Sequence, residues 1–321
     1  MSLIERAVQK LTGNGTPEHP ASVPSHPGAG DAGDRSTVER LVDRIQESTS
    51  TPDAPIGSHR IPELLRSAAP QPAARTVGID LNMLRRRGFA LQDGEQNRIS
   101  QEFRLIKRPL LANAFGKGVP QVRNGRRIMV TSAFPGEGKS FNAINLALSI
   151  AAERDHKVLL VDADVAKPSI PRELGIEPCP GLMDWLVDES QDVSRLVMQT
   201  NIDKLSILLA GTRHDHATEL LASTAMTRLL DQISARYPDR IIVFDSPPLL
   251  LTTEARVLAS YMGQIVLVVE SGGTPRQAVM DALGTIEGCE IVGLILNKAV
   301  SSQKSGYGGY GYGYGYGHGS T

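Results

Sequence analysis

The segment Ala133-Phe134-Pro135-Gly136-Glu137-Gly138-Lys139-Ser140 constrains this chain more than any other. Before it runs Ile128–Thr131, apolar, β-branched and of strand length; after it, Ser140–Glu153 has apolar residues at helical spacing. A glycine-rich turn between a strand and a helix lets backbone N–H groups converge, and the helix start adds partial positive charge, so such a turn suits a phosphate. Its Gly-Lys-Ser ending gives it the features of a P-loop. Lys139 is expected to reach the β- and γ-phosphates and the Ser140 hydroxyl to hold Mg²⁺. The expected ligands are therefore ATP and Mg²⁺, with Phe134, Pro135, Gly136, Glu137, Gly138, Lys139, Ser140 and Phe141 around the nucleotide. Ala133 stands where the general motif has its first glycine, and a turn that only caps a helix is the plain alternative.

Two acidic strand ends support the first reading. Leu159-Leu160-Val161-Asp162-Ala163-Asp164 ends one apolar run in two carboxylates, and Ile241-Ile242-Val243-Phe244-Asp245-Ser246-Pro247-Pro248 ends another in a third. Ligands of open α/β sheets bind at the carboxyl ends of strands, where a P-loop also sits. Carboxylates there can hold Mg²⁺, directly or through water, and one can accept a hydroxyl proton. The expected metal-holding set is Ser140, Asp162 and Asp245; the catalytic set is Lys139, Asp162, Asp164 and Asp245. An Asp at a strand end also serves as an ordinary turn or helix cap. Asn297-Lys298, after the last strand, is placed to contact the base or to be a polar loop. The loop Ser271-Gly272-Gly273-Thr274-Pro275 borders the same region.

The surrounding pattern predicts a doubly wound, mostly parallel α/β sheet over residues 127–300. Six short apolar runs read as strands: Ile128–Thr131, Val158–Asp162, Leu205–Leu209, Ile241–Asp245, Ile265–Val269 and Val292–Leu296. Helical stretches separate them, among them Ser140–Glu153, Thr218–Tyr237 and Pro275–Ile286. Residues 76–126 read as a helical part of the same region, with Phe103, Ile106, Leu110 and Leu111 on one face of Ser100–Ala112 and a break at Pro109. Residues 1–12 form a short amphipathic helix in this reading, and 13–75 a disordered linker rich in Pro, Ser, Gly and charge. Residues 301–321 read as a disordered low-complexity tail. It holds five of the chain's seven tyrosines, Tyr307, Tyr310, Tyr312, Tyr314 and Tyr316, separated by glycines.

Bulk properties remove several function classes. A net charge of −1 gives no electrostatic footprint for nucleic acid or for a membrane surface. The two cysteines, Cys179 and Cys289, match no zinc or redox spacing. Apolar runs too short to cross a membrane and the lack of a signal-peptide core predict a cytoplasmic protein.

Together these segments resemble the bacterial tyrosine kinases, and look closest to the cytoplasmic autokinases of exopolysaccharide and exosortase gene clusters. The residues that carry the resemblance are Pro-Gly-Glu-Gly-Lys-Ser at 135–140, Val161-Asp162-Ala163-Asp164, Phe244-Asp245-Ser246-Pro247-Pro248-Leu249 and the terminal tyrosine cluster. The resemblance implies an Mg-ATP-dependent kinase that phosphorylates its own tail tyrosines in trans within a homo-oligomer. It implies a transmembrane polysaccharide co-polymerase as activator, which recruits the kinase to the inner face of the plasma membrane, and a tyrosine phosphatase as antagonist. The chain departs from the family at Ala166, where Arg is common, and at Gln101, Arg104 and Lys107, where the family has Glu-x-x-Arg-x-x-Arg on an oligomerisation helix. The rival reading is a positioning ATPase of the MinD/ParA type. Those carry a second lysine early in the P-loop, where this chain has Phe134. A third reading makes the Gly-Tyr tail a low-complexity scaffold on an ATP-binding domain.

Overall fold

The computed structural model describes residues 75–91, 98–116, 118–286 and 288–299. The readings for residues 1–12, for nearly all of 13–75 and for the five tail tyrosines lie outside the described residues.

The described residues build one eight-stranded sheet. Its central strands are β2 (Arg127–Ser132), β3 (Lys157–Asp162), β6 (Arg240–Asp245) and β7 (Gln264–Glu270). Outside these lie β5 (Leu205–Leu208), β4 (Met198–Thr200) and β1 (Thr76–Val77) on one side, and β8 (Val292–Asn297) on the other. The order across the sheet is β1-β4-β5-β3-β6-β2-β7-β8, and β4 and β5 make its single antiparallel pairing. All six expected strands are present. β1 and β4 were not expected, because runs of two and three residues carry no readable alternation.

The central strands are buried on both faces, as their unbroken apolar sequences require. Alternate residues of one strand serve two core layers. Ile128 and Val130 face the layer with Ile144, Ile150, Phe103 and Leu110, whereas Met129 faces the layer with Trp185, Leu229 and Phe244. At roughly 1.5–3 kcal/mol for each fully buried large side chain, this double layer outweighs the weak intrinsic preferences of the short loops between strands.

Helix α1 is Leu81–Arg86, α2 Arg98–Phe115 and α3 Lys139–Ala151. After β3 come α4 (Ile170–Leu174), α5 (Leu182–Val187) and α6 (Val193–Leu196). Then follow α7 (Ala217–Leu221), α8 (Thr224–Arg236), α9 (Thr253–Ala259) and α10 (Arg276–Gly284).

Three expectations need correction. Pro109 does not break α2. The carbonyl it leaves without a donor belongs to Leu105, which is 75% exposed, so water can take the bond's place. The stretch Thr218–Tyr237 is two helices, because the Ser223 hydroxyl accepts from the Ala225 N–H and starts α8 afresh. The segment 76–126 is also not wholly helical, since it opens with β1.

Candidate active site

The P-loop lies between β2 and α3. Gly136 (φ 85°) and Gly138 (φ 100°) take left-handed conformations that side chains resist. A Cβ at Gly138 would also stand 2.0 Å from the Asn297 side-chain nitrogen. The loop is braced from beneath. The Glu137 carboxylate, almost fully buried, accepts the Phe134 N–H at 2.8 Å and the Thr274 hydroxyl. Asn297 donates its side-chain amide to the Glu137 carbonyl at 2.8 Å. Glu137 thus enters the site as a brace and through its backbone, while its side chain faces away from any nucleotide. Phe134 packs against the core. Thr274 lies in the Ser271–Pro275 loop, so that loop borders the site by holding Glu137.

Strand neighbours bring the acidic residues in. β3, β6 and β2 are adjacent, and Asp162 stands in register with Asp245. Lys139 Nζ lies 2.8 Å from Asp164 Oδ2. Beneath this pair Asp162 and Asp245 are completely buried. The Asp162 Oδ2 accepts the N–H groups of Ser169 (3.2 Å) and Ile170 (3.0 Å). Ser169 is the residue that sequence reasoning missed. Its hydroxyl lies 2.7 Å from the Ser140 hydroxyl and 3.2 Å from Asp245 Oδ2, which joins the P-loop to both acidic strands. Its only sequence signal is a place on the loop that follows an acidic strand end.

The electrostatics follow from burial. Asp162 is pushed up to about 8, first by desolvation and then by the neighbouring Asp245 charge. Desolvation also pushes Asp245 up to about 6, against the pull of Lys139. Burial lowers the Lys139 ammonium, but Asp245 and Asp164 together hold it above its ordinary value. Oδ1 of Asp162 and Oδ1 of Asp245 are buried without a hydrogen-bond partner. Orphaned carboxylate oxygens beside a serine hydroxyl fit a hard divalent cation such as Mg²⁺. Among the described residues no cluster of three or more His, Cys, Asp or Glu could hold a metal alone. A cation here therefore draws part of its oxygen shell from nucleotide phosphates and water, as Mg²⁺ commonly does.

Above these residues opens a cleft of about 510 Å³, lined by Pro135, Gly136, Lys139, Ser140, Asp164 and Ser169 among others. Asp164 alone of the three motif aspartates lines it. A second groove, about 550 Å³, runs between α2 and β8 and is lined by Phe141, Asn142, Asn297 and Lys298. Phe141 borders both spaces and meets the Phe89 ring at 5.1 Å. The arrangement suits a triphosphate over the loop, where Ser140 and the two buried aspartates would hold a divalent cation.

Comparison with known proteins agrees with this geometry. A ParA-type family model, described as NUBPL iron-transfer P-loop NTPase, matches residues 123–294. The tyrosine-protein kinase YwqD of Bacillus subtilis (strain 168) is 35% identical over 190 residues, 59% of this chain and 78% of that one. The chain belongs to the bacterial tyrosine-protein kinases. The solved kinase domain of VpsO superposes on this kinase with a TM-score of 0.54 at 30% identity, covering 63% of this chain and 96% of that domain. The succinoglycan biosynthesis transport protein ExoP of Rhizobium meliloti (strain 1021) is 35% identical over 188 residues, 57% of this kinase but only 23% of ExoP. Among the described residues of this kinase, no helix is long and apolar enough to cross a membrane.

Proposed function

We propose that this kinase transfers the γ-phosphoryl group of Mg-ATP to the tyrosines at 307, 310, 312, 314 and 316, on neighbouring copies in a homo-oligomer. One observation carries the reading. Lys139, Ser140, Asp164 and Asp245 converge at the carboxyl ends of adjacent strands, and β8 releases the tyrosine-rich segment from the same edge of the sheet through Asn297, itself bonded to the P-loop.

The chemistry then divides among this chain's residues. Lys139 and the loop N–H groups hold the β- and γ-phosphates. Ser140, Asp245 and Asp162 are the residues that would hold Mg²⁺, which when bound neutralises phosphate charge. The phenol oxygen attacks the γ-phosphorus, the bond to the β–γ bridging oxygen breaks, and ADP leaves. Asp164, the motif carboxylate that lines the cleft, takes the phenolic proton.

Phe134 argues against the MinD/ParA-type alternative. Its ring packs on the core, and it supplies no cation where those ATPases have a lysine. The polysaccharide setting draws support from the succinoglycan transport protein, in which the matching region is a small part of a longer chain. A separate transmembrane co-polymerase would activate this kinase and hold it at the inner face of the membrane, a tyrosine phosphatase would reset it, and cycling would govern exopolysaccharide polymerisation and export. The test is mass spectrometry of the purified chain, incubated with Mg-ATP or with phosphatase. Phosphate on the tail tyrosines that depends on ATP supports the reading, and hydrolysis of ATP without phosphotyrosine refutes it.

A further inference from the structure

Nucleotide binding leaves the rim of the 510 Å³ cleft unexplained. The floor is polar, but the rim carries Pro248, Leu251 and Thr252 from the loop after β6, and Lys167 and Arg172 from the segment after β3. Leu251 is 61% exposed. Of the large exposed apolar side chains among the described residues, it alone lines this cleft. A leucine at the mouth of a charged cleft leaves apolar area in water and offers a triphosphate nothing.

The turn that carries Leu251 is fixed relative to the catalytic groups. Leu249 N–H donates to the Ser132 carbonyl at 2.9 Å, at the end of β2, and the Thr252 hydroxyl donates to the Pro248 carbonyl at 3.1 Å. Leu249 itself is fully buried. Leu251 is thus held out at the rim by a turn anchored beside the P-loop.

The geometry points to an acceptor subsite at this rim, in which a tyrosyl ring of the chain's own Gly-Tyr segment rests on Leu251 and Pro248 with its hydroxyl toward Asp164. The inference rests on the kinase reading above and names how that kinase selects its acceptor. Residues 305–321 contain no Asp, Glu, Lys or Arg and a single His, His318, so ion pairing gives the five tyrosines no partner beside each of them. Only aromatic faces, hydroxyls and backbone remain, and an apolar wall is the surface that matches them. Glycine on both sides of each tyrosine lets the backbone come close to the wall.

The segment is long enough to pass from β8 across the catalytic strands, and so to clear its own sheet toward a neighbouring copy's cleft. Tyr307 lies ten positions beyond Asn297, about 33 Å when extended. Leu251 follows β6 and Asp164 follows β3, three and four strand spacings from β8, about 14 and 19 Å. Lys167 gives the same rim positive charge, which suits the phosphate before and after transfer, whereas Arg172 is paired with Glu173 at 2.8 Å.

The test uses the full chain with all five tail tyrosines changed to Ala, which leaves the wall no aromatic competitor, acting on a synthetic peptide of residues 305–318. Leu251→Asp in that background should raise KM for the peptide at least about tenfold, while kcat and ADP affinity change less than about threefold. Leu251→Met should restore KM. Unchanged KM in Leu251→Asp, or a loss confined to kcat, overturns the subsite. The wild-type chain, run alongside, separates the two failures: absence of its own tail phosphorylation overturns the kinase reading, whereas tail phosphorylation that Leu251→Asp leaves at the wild-type rate overturns the subsite alone.

Discussion

Lys139 and Asp164 form an ion pair 2.8 Å long, with both side chains nearly buried, between the P-loop and the strand beside it. The lysine that is to grip phosphate and the carboxylate that is to take a proton therefore neutralise one another across the cleft floor. Lys139→Met should abolish phosphotyrosine, a loss of at least about a thousandfold. It also strands Asp164, so Tm should fall, and adding Asp164→Asn should recover Tm without activity. Phosphotyrosine blots and thermal melts of the single and double variants check both halves.

The two aspartates beneath that pair predict an unusual pH dependence. Asp245 and Asp162 are pushed up to about 6 and about 8, above the ordinary carboxylate range. Folded-state values raised above unfolded ones mean stability that is present at low pH and lost as pH rises through them. Between pH 5.5 and 9, Tm of the nucleotide-free chain should therefore fall by about 4 °C or more. The double variant Asp162→Asn/Asp245→Asn should flatten that slope, and Mg-ADP should offset it in the wild type. Scanning calorimetry across the pH series decides; a wild-type slope equal to that of the double variant would remove the cause assigned here.

Ser169 ties Ser140 to Asp245 by one hydroxyl. Ser169→Ala should weaken Mg²⁺-dependent nucleotide binding by about tenfold, the scale of one hydrogen bond to a charged group, and Ser169→Thr should restore it. Titration of a fluorescent nucleotide against Mg²⁺ measures this without relying on turnover.

Most of the sheet is legible in the sequence because its strands are covered on both faces and so read as unbroken apolar runs. The P-loop and the aspartates are legible for a related reason: each sits where such a run stops. What escapes is set by distance in space. Ser169 reaches Ser140 across 29 residues, and Thr274 reaches Glu137 across 137, and no local spacing encodes either contact. Glu137 shows the same limit, since its place in the motif suggests a nucleotide contact while its buried carboxylate holds up the loop. Pro109 misleads in the other direction, because its ordinary helix-breaking effect is absorbed at an exposed turn of α2.

Replacing all five tail tyrosines with Phe should remove nearly all phosphotyrosine and leave nucleotide binding unchanged. Tyr237 and Tyr261 pack against the core and are poor acceptors. Full modification of the tail adds about −8 to −10 within a short segment. Assembled copies should then repel and shift toward monomer, and salt should blunt the shift because the Debye length is only about 8 Å at physiological ionic strength. Light scattering of phosphorylated and phosphatase-treated chain at two salt concentrations tests it.

The short strand β1 has a consequence for how this protein stays dispersed. Thr76 and Val77 pair with β4, the Gln199 N–H donates to the Arg75 carbonyl at 2.8 Å, and Asn201 exchanges two hydrogen bonds with the Ile79 backbone. Five residues thus seal a sheet border that would otherwise present unpaired peptide groups, the kind of border along which chains zip together into aggregates. A truncation that begins at the P-loop strand would keep every catalytic group and still strip that seal, along with the α2 side chains Phe103 and Leu110 that roof one core layer. A fragment that keeps both the seal and that roof accordingly begins no later than Arg75.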